Sequence, residues 1–326
     1  MKYRAKKAAC VMSAAAMAAS CASYAPEFAG PPQPPVEQIP YRIEYQGWLT
    51  VDAHIDGVGP FDFIVDSGAT ITSVFANITQ HTELKPAARG PIQIVGLTGS
   101  RTLPAYEIGD ISISTLMLPD HIGVVLPDWA PPNTPPQGVL GLDFLERYRT
   151  LFSEKERLIK FYAPNATPDH PMSDWTATSM EPFLVDGEAD PLYIVNVSVR
   201  GLQIPCIIDL GASGTIFNMS AYRRITRGLH VNGLRQHGFR TGTNIRDVFD
   251  TEDKAFAIRI IRMHMNSAVW ANHIVIVYDA KIFDDFGIDN QPFCLIGADM
   301  FADRSFMLDF AGQTLYIEPE TIRSGR

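Results

Sequence analysis

Two apolar runs in this 326-residue chain each end on an aspartate that enters a turn of small and hydroxyl residues. They are Phe63-Ile64-Val65-Asp66-Ser67-Gly68-Ala69-Thr70 and Cys206-Ile207-Ile208-Asp209-Leu210-Gly211-Ala212-Ser213. A carboxylate at the end of a buried strand is costly unless it is paired or used. Two such carboxylates brought face to face can share one proton, leaving one ionised as a base and the other ready as an acid. Such a pair can activate a water for attack on a carbonyl. A single Asp-Ser-Gly would mean no more than a strand running into a turn, because all three residues favour turns. The recurrence of the longer pattern says more.

Other segments repeat in step with it. Val139-Leu140-Gly141-Leu142-Asp143-Phe144-Leu145 returns as Leu295-Ile296-Gly297-Ala298-Asp299-Met300-Phe301, an offset of 156 residues (297 − 141). The match runs on without a gap to Phe152 against Leu308 and Ile159 against Leu315, and upstream the stretch 51–57 is echoed by 195–201. The aspartates stand 143 apart (209 − 66), so the second copy holds 13 more residues between its two motifs (156 − 143). A period of about 150 residues is far longer than a solenoid repeat and reads as two lobes. These span 41–163 and 191–326, with a Pro- and Asp-containing linker over 164–190.

The elements that must position the aspartates are short strands. Runs rich in Val, Ile, Phe and Tyr recur between Gly, Pro, Asn and Asp. Ile92–Val95, Ile111–Ser114, Leu192–Val199 and Ile274–Tyr278 are examples. Single helical turns are expected at Asp143–Tyr148 and Asp299–Arg304, and a longer helix at Met219–Thr226 with Ser220 as its N-cap. Val95-Gly96-Leu97-Thr98-Gly99-Ser100 places glycines where a tight hairpin tip needs them. Pro127–Pro136, with Trp129 inside it, reads as a stiff external loop.

On these motifs the chain resembles the tandem retropepsin-like aspartic proteases, in a bacterial exported form, of the clan that includes pepsin and the retroviral proteases. The resemblance covers roughly residues 41 to 319 and rests on both aspartate turns and on Val139-Leu140-Gly141 and Leu295-Ile296-Gly297. It implies an all-β fold of two pseudo-symmetric β-barrel lobes with a cleft between them. It also implies an endopeptidase in which Asp66 and Asp209 hold the attacking water, acting on polypeptide without a cofactor. Gly96, Leu97, Thr98 and Gly99 would form the mobile flap, and Gly238–Gly242 its second-lobe counterpart. The strands carrying Cys206 and Cys294 would run close together, which allows either a disulfide or two packed thiols.

One residue departs from the pattern. The family has Ser or Thr after each aspartate, with the hydroxyl crossing to the opposite turn. Ser67 can make that bond and Leu210 cannot. Each such bond contributes about 0.5–1.5 kcal/mol net. Two other readings therefore stand beside the intrachain peptidase: a peptidase active only as an Asp66/Asp66 homodimer, and an exported module that binds peptide without cleaving it.

The ends of the chain suggest its compartment. Lys2, Arg4, Lys6 and Lys7 precede the Ala-rich stretch 8–19, the layout of a secretory signal and too short to span a bilayer. Ala18-Ala19-Ser20-Cys21 resembles a lipoprotein cleavage box, so residues 1–21 are expected to be a leader with Cys21 acylated. Residues 22–40, rich in proline, are expected to form an extended tether. Export to the periplasm or cell envelope, with membrane attachment by the lipid alone, follows as an expectation. The net charge of −9 argues against nucleic acid as a partner. The eight histidines are scattered and no Cys/His pair has ligand spacing, so no metal centre is expected. A monomer with an internal pseudo-twofold is the simplest assembly.

Overall fold

Alternation builds the first lobe. In the strand Trp48–Ile55, Val51, Ala53 and Ile55 are fully buried while Asp52 faces solvent, the period of two that a half-buried strand requires. The computed structural model describes residues 28 and 30–320 apart from 45–46, 129–134, 185–190 and 228–240. Trp48–Ile55 pairs antiparallel with Val58–Val65 through a turn in which Asp56 and Gly57 both take left-handed φ (+49° and +79°). Arg200 and Gly201 repeat that turn (+53° and +79°) between Leu192–Val199 and Leu202–Ile208. Both are the primed turns that suit the twist of two-residue hairpins.

Each lobe closes into a ring of six strands. In the first, Trp48–Ile55, Val58–Val65, Gly138–Leu140, Ser73–Phe75, Leu116–Leu126 and Ala105–Ile113 follow one another. The ring closes where Ile111 faces Ile55. The second runs Leu192–Val199, Leu202–Ile208, Cys294–Ile296, Ile216–Phe217, Ala268–Val277 and Glu252–Met265, closed by Ser198 facing His264. The fold is all-β with two barrel lobes.

A six-stranded sheet joins the lobes. Its order is Thr176–Ser179, Thr314–Ile317, Phe306–Asp309, Arg149–Ser153, Leu158–Tyr162 and Glu37–Pro40. At its centre the Phe152 and Phe306 rings stack with centroids 4.4 Å apart. Nearby, buried Arg149 is paired with buried Asp309 at 2.8 Å, under the ring of Phe28.

Three expectations need correction. The proline-rich segment does not remain a tether through residue 40: Pro32–Gln33 pairs with Thr167–Pro168, and Glu37–Pro40 forms an edge strand on Leu158–Phe161. Proline is tolerated at such an edge because one side of the strand needs no donor. The 164–190 stretch is likewise packed where it is described. Thr176–Ser179 covers the sheet edge at Thr314–Ile317, and Trp175 and Met172 are buried against Tyr162 and Tyr316. Finally, the helix Met219–Thr226 forms as expected but is capped by Asn218, whose Oδ1 accepts from the Ala221 N–H at 2.8 Å, not by Ser220. The expected single turns appear as Leu142–Leu145 and, in 3-10 form, Ala298–Phe301.

Candidate active site

Two parallel strand pairs carry the aspartates to one place. Val58–Val65 lies beside Gly138–Leu140, and the Asp66 N–H donates to the Leu140 carbonyl at 3.0 Å. In the other lobe Leu202–Ile208 lies beside Cys294–Ile296, and the Asp209 N–H donates to Ile296 at 2.9 Å. The turns then reverse: Gly68 N–H donates to Asp66 Oδ1 at 2.7 Å and Ala212 N–H to Asp209 Oδ1 at 3.0 Å. Leu142 N–H reaches the Ala69 carbonyl and Ala298 N–H the Ala212 carbonyl, both at 2.8 Å. The repeat in sequence is thus a repeat of hydrogen bonds.

The two carboxyls come together across the lobes, each against the glycine of the other's turn and both lining one cavity. Glycine permits the approach. A Cβ on Gly68 would lie 2.5 Å from Asp209 Cγ, and one on Gly211 would lie 2.3 Å from Asp66 Cγ. Burial raises both carboxyls above their ordinary range. For Asp66 the Gly68 N–H works against that rise. For Asp209 the facing Asp66 charge adds to it, so the pair holds one proton between its two carboxyls.

Ser67 braces the pair. Its buried hydroxyl donates to the Ile208 carbonyl at 2.9 Å and accepts the Leu210 N–H at 3.1 Å. Leu210 is fully buried and returns nothing from its side chain.

Sequence reasoning missed the groups behind each turn. Thr72 Oγ1 donates to Asp143 Oδ1 at 2.6 Å and accepts Gly141 N–H at 3.0 Å. Thr215 Oγ1 donates to Asp299 Oδ1 at 2.8 Å and accepts Gly297 N–H at 3.2 Å. His121 and His273 lie against the same carboxylates, at 3.7 and 2.9 Å. The signal was present. Each threonine stands six residues after its aspartate (72 − 66 and 215 − 209), and Asp143 and Asp299 are matched members of the repeated glycine motif.

The dyad lies on the floor of a cavity of about 1000 Å³ that Thr70 and Ser213 also line. Trp48, Ile64 and Phe75 wall it on the first-lobe side, and Leu192, Ile216 and Ile276 on the second. Over it sits the hairpin Ile92–Val95/Ser100–Leu103, whose tip is Gly96, Leu97, Thr98 and Gly99, with Gly96 N–H donating to the Gly99 carbonyl at 2.8 Å. Its second-lobe counterpart is displaced from the expected position. Residues 238–240 lie outside the described residues, and Thr241 and Gly242 begin a strand whose hairpin tip is 247–251. Trp129 and Cys21 also lie outside the described residues.

Cys206 and Cys294 face each other on adjacent strands, Cα atoms 4.4 Å apart, and form a disulfide.

No curated protein matches the chain in sequence. Among solved structures, conglutin gamma, a basic 7S globulin from lupine seeds, superposes with a TM-score of 0.54 at 12% identity, over 90% of this chain and 97% of that one. At that identity the likeness is one of fold. Residues 51–144, which hold Asp66, the hairpin and Gly141, match the family model of aspartyl proteases, so the first lobe carries an aspartyl protease family domain.

Proposed function

We propose that this chain is an aspartic endopeptidase in which Asp66 and Asp209 share one proton and hold one water between them. The observation that carries the reading is the approach of two carboxyls from different lobes, each against the other's turn glycine, in one largely apolar cleft. The ionised member of the pair takes a proton from the water as its oxygen attacks the peptide carbonyl, while the protonated member donates its proton to the developing oxyanion. Collapse of the tetrahedral diol returns a proton to the second member and moves the one on the first to the leaving nitrogen. No covalent intermediate forms and the dyad ends as it began. An extended polypeptide bound by backbone hydrogen bonds under the hairpin is the substrate class that such a cleft suits.

The test is cleavage of an unstructured polypeptide by the purified protein and by Asp66→Asn and Asp209→Asn. Each substitution is expected to abolish turnover, and a statine-type transition-state mimic to inhibit the parent. Undiminished activity in Asp66→Asn overturns the reading. Activity lost in Asp66→Asn but kept in Asp209→Asn selects an Asp66/Asp66 homodimer; the engagement of Asp66 with Asp209 within one chain favours the intrachain pair.

Leu210 favours a second reading, a peptide-binding module that does not cleave. Peptide binding by the parent protein with no turnover at any acidic or neutral pH would select it.

The basic, Ala-rich leader and Cys21 support a lipid-anchored protein of the periplasm or cell envelope, working as a monomer on polypeptide. Release of the protein from the membrane fraction by Cys21→Ala tests the anchor.

A further inference from the structure

The hairpin over the cleft is a sheet of two short strands that pairs with no other strand among those described. Such a hairpin is marginal by itself, so its position depends on what it touches. Its underside, Ile92, Ile94 and Leu103, packs on the first-lobe cluster around Trp48 and Phe75. Its tip is held by the other lobe.

Thr98 gives both its N–H and its hydroxyl to Asp247 Oδ2, the N–H at 3.1 Å. Asp247 is 4% exposed, and its Oδ1 is fixed by the N–H groups of Phe249 and Thr251 at 2.9 and 3.2 Å. It is a rigid post at the tip of the second-lobe hairpin. At the short helix Lys281–Asp285 of the same lobe, the Leu97 carbonyl accepts the Lys281 N–H at 2.7 Å, and the Ser100 hydroxyl donates to Asp285. Arg101 lies over the Phe249 ring at 4.6 Å. Gly96 packs so closely that a Cβ there would come within 2.9 Å of Asp247 Oδ2. These contacts join the lobes over the dyad and bar a chain segment from entering between the hairpin tips.

We infer that Thr98–Asp247, with Ser100–Asp285 and Leu97–Lys281, is an interlobe latch that holds the cleft shut and must open for substrate to enter from above. The latch stands on geometry alone, and its meaning as a gate rests on the peptidase reading. Intact, it restricts access to chains that can thread along the cleft.

Hydrogen exchange on the whole protein tests it, comparing the parent with Thr98→Val/Ser100→Ala and, separately, with Asp247→Asn. The asparagine can still accept from Phe249 and Thr251 through its carbonyl while its amide faces Thr98 with donors. The amides of Thr98 and Lys281 are expected to exchange about ten- to a hundredfold faster in both variants. Those of Phe249 and Thr251 should stay protected. Cleavage of a folded protein should rise relative to cleavage of a short peptide. Unchanged exchange at Thr98 and Lys281 overturns the latch. Faster exchange with an unchanged folded-to-peptide ratio overturns the gate. Faster exchange in a protein that cleaves nothing sinks the peptidase reading and leaves the latch standing.

Discussion

The Ser67 hydroxyl accepts the Leu210 N–H at 3.1 Å while donating to the carbonyl before Asp209, so one side chain of the first lobe serves two backbone groups of the second. The reciprocal bond has no side chain to make it, and the brace between the lobes is one-sided. Ser67→Ala is therefore expected to hurt more than loss of a single ordinary hydrogen bond. It strands a buried N–H and a buried C=O together, at about 1–3 kcal/mol for each group. Denaturant unfolding of the variant against the parent measures the loss. A change within error would mean that the lobes are held by the shared sheet and the hairpin contacts without this brace.

Both dyad carboxyls are raised by burial, and Asp209 further by its neighbour's charge, so they bind protons more tightly folded than unfolded. The stability they contribute is complete below the unfolded value of 3.8 and falls as pH climbs toward the folded values. Asp209→Asn removes the Asp209 share of that dependence. Its Tm is expected to exceed the parent's at about pH 7 and to converge with it at about pH 3. Proteolysis by the parent should fall as pH rises far enough to take the shared proton from the pair, since the acid that protonates the oxyanion is then lost. Calorimetry across that range checks the first expectation and a pH–rate profile the second.

Behind the dyad, Thr72 and Thr215 each join an aspartate turn to the glycine motif of the same lobe. Valine matches threonine in shape but neither donates nor accepts. Thr72→Val and Thr215→Val are each expected to cost about 1–3 kcal/mol, because a glycine N–H is left without its acceptor. Each should also lower kcat more than it changes KM, since the turn that aims the carboxylate loosens while the cleft walls stay. Steady-state kinetics beside thermal melts would separate the two effects.

What the sequence made legible is what duplication repeats. Asp66 and Asp209, their strands and Gly141/Gly297 all recur at near-constant offset, and internal comparison locates them without any partner sequence. The Thr72–Asp143 bond spans 71 residues between two common residue types, and only the closed barrel reveals it. The second hairpin tip was misplaced because the second copy carries its additional residues between the aspartate and the glycine motif, so counting from Asp209 misses Asp247. Proline-rich composition signals an extended chain at Pro32 and Pro40. It could not signal that a sheet edge some 120 residues away, at Leu158–Phe161, would take that segment as a strand (158 − 40 = 118).

The disulfide gives the last expectation. Cys206 and Cys294 are fully buried and in register on neighbouring strands, three residues before Asp209 and Gly297 respectively, and close a loop of 88 residues. Closing so long a loop restricts the unfolded chain, and its loss typically costs about 2–5 kcal/mol. Burial also shields the bond from reductant until the lobe opens. Thiol titration of the protein is therefore expected to find no reactive cysteine from this pair, with or without denaturant, unless reductant and denaturant are combined. The double variant Cys206→Ala/Cys294→Ala should melt several degrees lower while keeping the dyad geometry and, with it, inhibitor binding. Equal stability of variant and parent would show that the strand pair Leu202–Ile208/Cys294–Ile296 holds the second aspartate without the crosslink.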